Sequence, residues 1–228
     1  MIVISDIHGC YNTLIRLMNK CPEGPVIFAG DLIDRGPHSK AVVEFAMNNK
    51  IPVTMGNHCD LALDYSKHHA KGFKSHCGDM YDYDVWIDNG GDDCLESFGT
   101  FELPDNVLQW MQDMPAYIKH DNLLVSHTGY GLSGVWMNTL WGRHSVGDGE
   151  FPDDGLFRVF GHTQEKNAVI TDKWAMIDTG AAYYMRGMGI LTAFEWPSKA
   201  LYSERFEEKE HAVPNFTIVD GCIVRNTA

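Results

Sequence analysis

The sequence predicts an α/β fold in which two packed, mixed β-sheets are flanked by helices. Two observations carry this expectation. Short apolar runs rich in β-branched residues alternate with amphipathic stretches, and the first half of the chain is rich in helical patterns while the second turns mainly to strands. With 228 residues, 44% of them hydrophobic, the chain has enough apolar material for one sizeable core, so one domain over 1–228 is expected, with an inserted cap or loop at about 72–103.

Taken in order, Ile2-Val3-Ile4 reads as a strand. Tyr11 to Lys20 places Leu14, Ile15, Leu17 and Met18 on one helical face, and Pro22-Glu23-Gly24-Pro25 breaks the chain before the strand Val26 to Ala29. Ser39 reads as the cap of a helix carrying Val42, Val43, Phe45 and Ala46, and Pro52 to Met55 as a third strand. A helix is expected from Asp60 to about Lys71. Residues 72–103 change character: six aspartates fall between Asp79 and Asp93, interleaved with Tyr81, Tyr83 and Trp86. They read as a solvated loop, with selection of basic or neutral substrates as the alternative. Pro104 is expected in the first turn of a helix with Leu108, Trp110 and Met111. Strands are then predicted at Asn122–Ser126, Phe157–Phe160, Ala168–Thr171, Trp174–Ile177, Gly189–Phe194, Ala200–Glu204 and Phe216–Val219.

The formal charge of −13 repels nucleic-acid phosphates and anionic lipid, so general nucleic-acid binding is not expected. No window approaches 18 uncharged apolar residues and the first residues lack a signal-peptide pattern, which together predict a cytoplasmic protein with no membrane partner. The six cysteines form no C-x-x-C pair and read as reduced thiols. His68, His69, His76 and Cys77 have no matching second ligand pair and read as solvated helix or cap rather than a zinc site.

Five apolar runs end in a polar, metal-capable residue. Asp6 and His8 follow the first strand, Asp31 and Asp34 the second, Asn57 and His58 the third, His127 follows Leu123 to Ser126, and His162 follows Phe157 to Gly161. Ligands of open α/β sheets bind beyond the carboxyl ends of strands, so these residues are expected to share one cleft. Carboxylates, imidazoles and one amide oxygen suit borderline divalent ions such as Mn, Fe or Zn. The run Gly30-Asp31-Leu32-Ile33-Asp34-Arg35-Gly36 crowds two carboxylates and a guanidinium between glycines, which a structural turn does not require.

With these stretches, and with Leu140-Trp141-Gly142-Arg143 and Ile177-Asp178-Thr179-Gly180-Ala181, the chain resembles the phosphoprotein phosphatases of the calcineurin-like metallophosphoesterase group over about residues 1–195, particularly the small bacterial and bacteriophage enzymes. The resemblance implies a four-layer sandwich of two sheets between helices, with a dinuclear metal centre at one edge. It implies that Asp6 and His8 bind the first metal, that Asp31 bridges both, and that Asn57, His127 and His162 complete the second. Two ions about 3.5–4 Å apart then share a hydroxide as nucleophile. His58 is the implied proton donor to the leaving oxygen, oriented by Asp34, and Arg35 and Arg143 the implied phosphate clamp, with the guanidinium binding two oxygens at once. Asp178 is expected to be structural or supporting and stays outside the candidate site.

Departures from the family pattern bear on substrate. Met55 stands before Gly56-Asn57-His58 where phosphoprotein-specific members usually carry Arg, and Cys59 replaces the usual acidic residue, with Asp60 one place later. A protein phosphatase acting on phosphoserine or phosphothreonine, or on phosphotyrosine or small phosphate esters, is the first expectation, carried by Asp34-Arg35. A dinucleoside polyphosphate hydrolase is the second, carried by Met55. A nuclease or cyclic phosphodiesterase is expected to show Gly-His-x-His, which Gly161-His162-Thr163-Gln164 lacks, and a non-catalytic scaffold is expected to have broken ligands, of which there are none.

Overall fold

The computed structural model describes residues 1–68, 72–78, 84–145, 151–207 and 212–226. Along the chain run β1 (Ile2–Ser5), α1 (Tyr11–Lys20), β2 (Gly24–Ala29), α2 (Ser39–Asn48), β3 (Val53–Thr54), α3 (Asn57–His68), α4 (Asp92–Phe98), α5 (Asp105–Gln112), β4 (Tyr117–His120), β5 (Leu123–Ser126), α6 (Trp136–Trp141), β6 (Phe157–Phe160), β7 (Val169–Ile170), β8 (Trp174–Met176), β9 (Ile190–Glu195), β10 (Leu201–Arg205), β11 (Phe216–Val219) and β12 (Cys222–Arg225). Among the described residues, no helix is long and apolar enough to cross a membrane.

The two expected mixed sheets are present. The larger runs β10-β9-β1-β2-β12-β11, with β3 on the C-terminal half of β2, and the smaller runs β4-β5-β6-β8-β7. Each sheet holds three parallel strands, β1, β2 and β3 in one and β5, β6 and β8 in the other, with antiparallel strands outside them. Two-residue alternation divides the core. Val3, Ile27 and Ala29 share the layer between the sheets with Leu123, Val125, Phe157, Val159 and Ala175. Their neighbours Ile2, Ile4, Val26 and Phe28 face the other way and pack with Leu14, Leu17 and Met18 of α1 and Val42 and Val43 of α2. Buried on both faces, these strands read as continuous apolar runs.

Several boundaries differ from the sequence reading, and the differences fall near the candidate site. Helix α3 begins at Asn57 rather than Asp60, because Asp31 Oδ1 accepts the His58 N–H (3.1 Å), one of the donors that a first helical turn leaves orphaned. Ser39 does not cap α2. It is the helix's first residue, and its hydroxyl accepts the Asp34 N–H (3.0 Å) instead. Pro104 is the residue before α5 rather than part of its first turn. The described part of the 72–103 segment is not a solvated loop throughout: a wide turn at Ile87–Gly91 leads into α4, and Trp86, Cys94 and Phe98 are buried in the main core. Asp79, Tyr81, Asp82 and Tyr83 lie outside the described residues, as does the 69–71 end of the predicted helix. Strand β4 went unpredicted because it is a largely exposed edge strand without an apolar run.

Candidate metal centre and active site

The carboxyl ends of the parallel strands converge where the two sheets meet. The register pairs Val125 with Val159 and Phe160 with Met176, so the residues just past β5, β6 and β8 emerge side by side. The contact between sheets is close: Gly30, after β2, has φ +80, and a Cβ there would overlap the His127 ring after β5. At Gly161 a Cβ would overlap the Asp6 carboxylate. Asp6, His8, Asp31, Asp34, Arg35 and His162 all adopt positive φ, and they make up most of the described non-glycine residues that do. Such backbone costs on the order of 1–3 kcal/mol per residue and persists where surrounding structure enforces it, as at binding sites.

Two overlapping groups of donors result. The ligand atoms of His8, Asp31 and His58 lie within 4.8 Å of one another, as do those of Asp31, His127 and His162. Asp31 belongs to both, the placement a bridging carboxylate needs: its Oδ2 is 3.7 Å from His8 Nε2 and 3.4 Å from His127 Nε2. Asn57 Oδ1 lies 2.8 Å from His127 Nε2. Asp6 joins neither group as placed, and its oxygens accept the His162 N–H (3.2 and 3.0 Å).

The ring orientations and charges suit cations. The His8 and His127 Nδ1–H groups donate to the carbonyls of Ile33 (2.8 Å) and Ala29 (3.3 Å), which turns each Nε2 lone pair towards the site. His162 Nε2 is buried with no hydrogen-bond partner, a costly state for a polar atom unless something else binds it. Burial pushes His8, His127 and His162 down, His162 to about 2, so all three stay neutral as metal ligands must. Burial alone raises Asp31, but His127, His58, His8 and His162 around it hold the carboxyl well below the usual range. This donor set, with an orphaned nitrogen and a shared carboxylate, fits two divalent ions.

Beside the donors, the His58 Nδ1–H donates to Asp34 Oδ2 (2.5 Å), and both side chains are buried. Burial raises the Asp34 carboxyl against the opposing hydrogen bonds from His58 and Trp86. The Trp86 indole N–H donates to both Asp34 oxygens (3.1 and 2.9 Å). Trp86 is a residue that sequence reasoning missed, since nothing in an acidic stretch marks one aromatic as a partner for a carboxylate 52 positions earlier.

Arg35 donates through Nη1 to His8 Nε2 (2.8 Å), its guanidinium lies 5.0 Å from the centre of the Tyr183 ring, and Arg186 lies 5.2 Å from the same ring. Arg35 borders a cavity of about 570 Å³ lined also by Asp88, Asn89, Asp93, Tyr183, Tyr184 and Arg186. Arg143 is exposed after α6, near enough for its charge to help lower His127 and His162.

Other residues noted in the sequence point elsewhere. Met55 is fully buried in the core, and Cys59 is buried with its thiol pushed up by desolvation. Asp60 turns away to Ser75 (2.7 Å) and to His76 Nδ1 (3.0 Å). Asp178, placed outside the candidate site by the sequence reading, is buried at the end of β8 beside it. The available signal was positional: Asp178-Thr179-Gly180 follows its strand as Gly161-His162-Thr163 follows β6.

Comparison with known proteins identifies the family and the fold. The family model for calcineurin-like phosphoesterases matches residues 1–177. The chain is 26% identical to the asymmetrical bis(5'-nucleosyl)-tetraphosphatase of Bacillus velezensis, over 86% of this chain and 88% of that one. It is also 26% identical to serine/threonine-protein phosphatase 1 of Salmonella typhimurium, over 79% and 86%. Its fold is similar to the crystal structure of a putative diadenosine tetraphosphatase (TM-score 0.62, 20% identity, 90% and 93% covered). It is likewise similar to a metallophosphoesterase from Sphaerobacter thermophilus (TM-score 0.56, 14% identity, 92% and 90% covered).

Proposed function

Because the chain belongs to the calcineurin-like phosphoesterase family, we propose that it is a metal-dependent phosphomonoesterase acting on phosphoserine, phosphothreonine or phosphotyrosine in proteins. The observation that carries this reading is the buried His58–Asp34 pair, braced by Trp86. An alcohol leaving from a monoester departs as a strongly basic oxyanion and needs a proton, which a positioned imidazole supplies. A nucleoside phosphate leaving from a dinucleotide is already a stable anion and needs none.

Divalent ions bound by the donor set supply Lewis-acid activation of the attacking water and of the phosphoryl oxygens. The chain's own residues do the rest. Asp6, His8, Asp31, Asn57, His127 and His162 would hold the ions, with Asp31 shared between the two donor groups. Arg35 and Arg143 orient the phosphoryl group, Asp34 and Trp86 fix the His58 ring, and His58 delivers its proton from Nε2 to the leaving oxygen. Mn is the ion expected to sustain activity in vitro, with Fe or Zn as alternatives, and the cytoplasm is the expected setting.

Asp88 and Asp93 line the cavity beside Arg35, which supports selection of substrates with basic or neutral flanks over a purely solvated role. Phosphopeptides with basic flanks are expected to be hydrolysed faster than acidic ones, and equal rates remove this selection.

Dinucleoside polyphosphate hydrolysis is the second reading, supported by Met55 and by the activity in the name of the Bacillus velezensis relative. The deciding experiment strips the protein of metal, restores Mn and compares an aryl phosphate monoester with diadenosine tetraphosphate. Fast Mn-dependent monoester hydrolysis with little dinucleotide cleavage is expected. The reverse makes the second reading the correct one.

A further inference from the structure

Six parallel strands point their carboxyl ends at the site, and five have an assigned duty: β1 presents Asp6 and His8, β2 presents Asp31, β3 leads to Asn57, β5 to His127 and β6 to His162. The sixth is β8. Its register with β6 pairs Met176 with Phe160, which sets Asp178 beside His162 at the same distance past the strand end.

Asp178 is 2% exposed. Its Oδ1 accepts the Gly180 N–H (2.9 Å), closing a tight turn, whereas its Oδ2 is buried without a hydrogen-bond partner. A turn of this kind needs one acceptor and no charge, so an asparagine would serve it equally well. Gln164 is a neutral donor facing this carboxylate, but Oδ2 makes no hydrogen bond of normal geometry, and a buried negative charge so placed is costly and calls for a cation. The carboxylates of Asp6 and Asp31 lie close enough to act electrostatically on it, and Arg35 is the positive group that acts on it. Arg35, the proposed phosphate clamp, is thus the positive group that acts on Asp178, with two further buried carboxylates close by.

We infer that Asp178 is a seventh metal-holding residue, whose free carboxylate oxygen helps hold the divalent ion nearest Asp6. This rests on the reading of the site as a dinuclear centre. In keeping with that place, burial and the neighbouring Asp31 push the Asp178 carboxyl up to about 6, a cost that a bound cation relieves.

The test titrates Mn into metal-free wild-type protein, Asp178→Asn and Asp178→Ser by calorimetry, and records thermal unfolding of each with and without Mn. Both substitutions keep an oxygen that can accept the Gly180 N–H. The wild type is expected to take up two equivalents. In both variants one equivalent is expected to weaken by about 10–100-fold, the usual effect of losing a group that supports a metal site. Their metal-free forms are expected to melt a few degrees higher than wild type, since a buried like charge is gone, and to gain less from Mn. Variant titrations that superimpose on the wild type overturn the inference, and a lower metal-free melting temperature alongside them makes Asp178 a turn residue only. If the wild type itself takes up no Mn, the dinuclear reading fails, and this inference fails with it.

Discussion

Replacing His58 by Asn tests the leaving-group argument directly. In the fold, His58 Nδ1 is committed to Asp34 at 2.5 Å, so the proton it can give lies on Nε2, and His58 belongs to the same donor group as His8 and Asp31. Asn at this position keeps the backbone N–H that Asp31 accepts, and with it the start of α3, but carries no acidic proton. A positioned general acid contributes about 10²–10⁴ in rate, or roughly 2.7–5.5 kcal/mol of barrier. That full loss is expected in kcat on a phosphoserine peptide, whose alkoxide needs protonation. On an aryl phosphate with a good leaving group, the expected loss is about tenfold or less. The assay is steady-state kinetics on both substrates at saturating Mn, with metal content measured on the same samples and expected to remain at two equivalents. The same fold-loss on both substrates, or no loss on either, refutes the assignment of His58 as the acid.

Four further outcomes follow from the geometry. Asp31→Asn should lose both metals more readily than Asn57→Ala loses either, since only Asp31 belongs to both donor groups; equal retention by elemental analysis contradicts the bridging role. Trp86→Phe removes a hydrogen bond to a buried carboxylate and should lower stability to urea by about 1.5–3 kcal/mol. The same variant should slow alkyl ester hydrolysis more than aryl ester hydrolysis. Arg35→Ala should cost about 2–4 kcal/mol in kcat/KM, by analogy with oxyanion donors, with Mn affinity retained. Finally, burial keeps His8, His127 and His162 neutral in the native state, while the unfolded chain takes up protons below about 6.5. Metal-free stability from this source is therefore present above 6.5 and lost as pH falls, at up to about 1.4 kcal/mol per histidine per unit. The raised carboxyls of Asp6 and Asp178 act in the opposite sense and offset part of the loss. Urea melts between pH 5 and 8 measure it, and stability that rises on acidification contradicts it.

The strands that build the site were legible because each is buried along its length and reads as a short, largely apolar run, with Arg158 inside β6 the exception. Its donors were legible because each follows such a run within three residues of a glycine. The partners that orient the donors were less visible. Ser39 looked like a helix cap, yet its hydroxyl serves Asp34. Asn57 and His58 looked like the end of a strand, yet a carboxylate 27 residues away makes them the start of a helix. Trp86 looked like part of an acidic loop, and Asp178 like a structural or supporting residue outside the site.

The sequence by itself determined the parts: strand periodicity set which residues leave the sheet at its carboxyl edge, and residue type made them a donor set suited to borderline divalent ions. Tertiary structure alone decided how those parts are shared and aimed. The Asp6 carboxylate meets the His162 backbone across 156 positions, and the carbonyls of Ile33 and Ala29 choose which imidazole nitrogen of His8 and His127 faces the site. Periodicity is a local property that neighbouring residues impose on one another. Ring orientation and the sharing of Asp31 depend on hydrogen bonds between segments that become neighbours only when the two sheets pack.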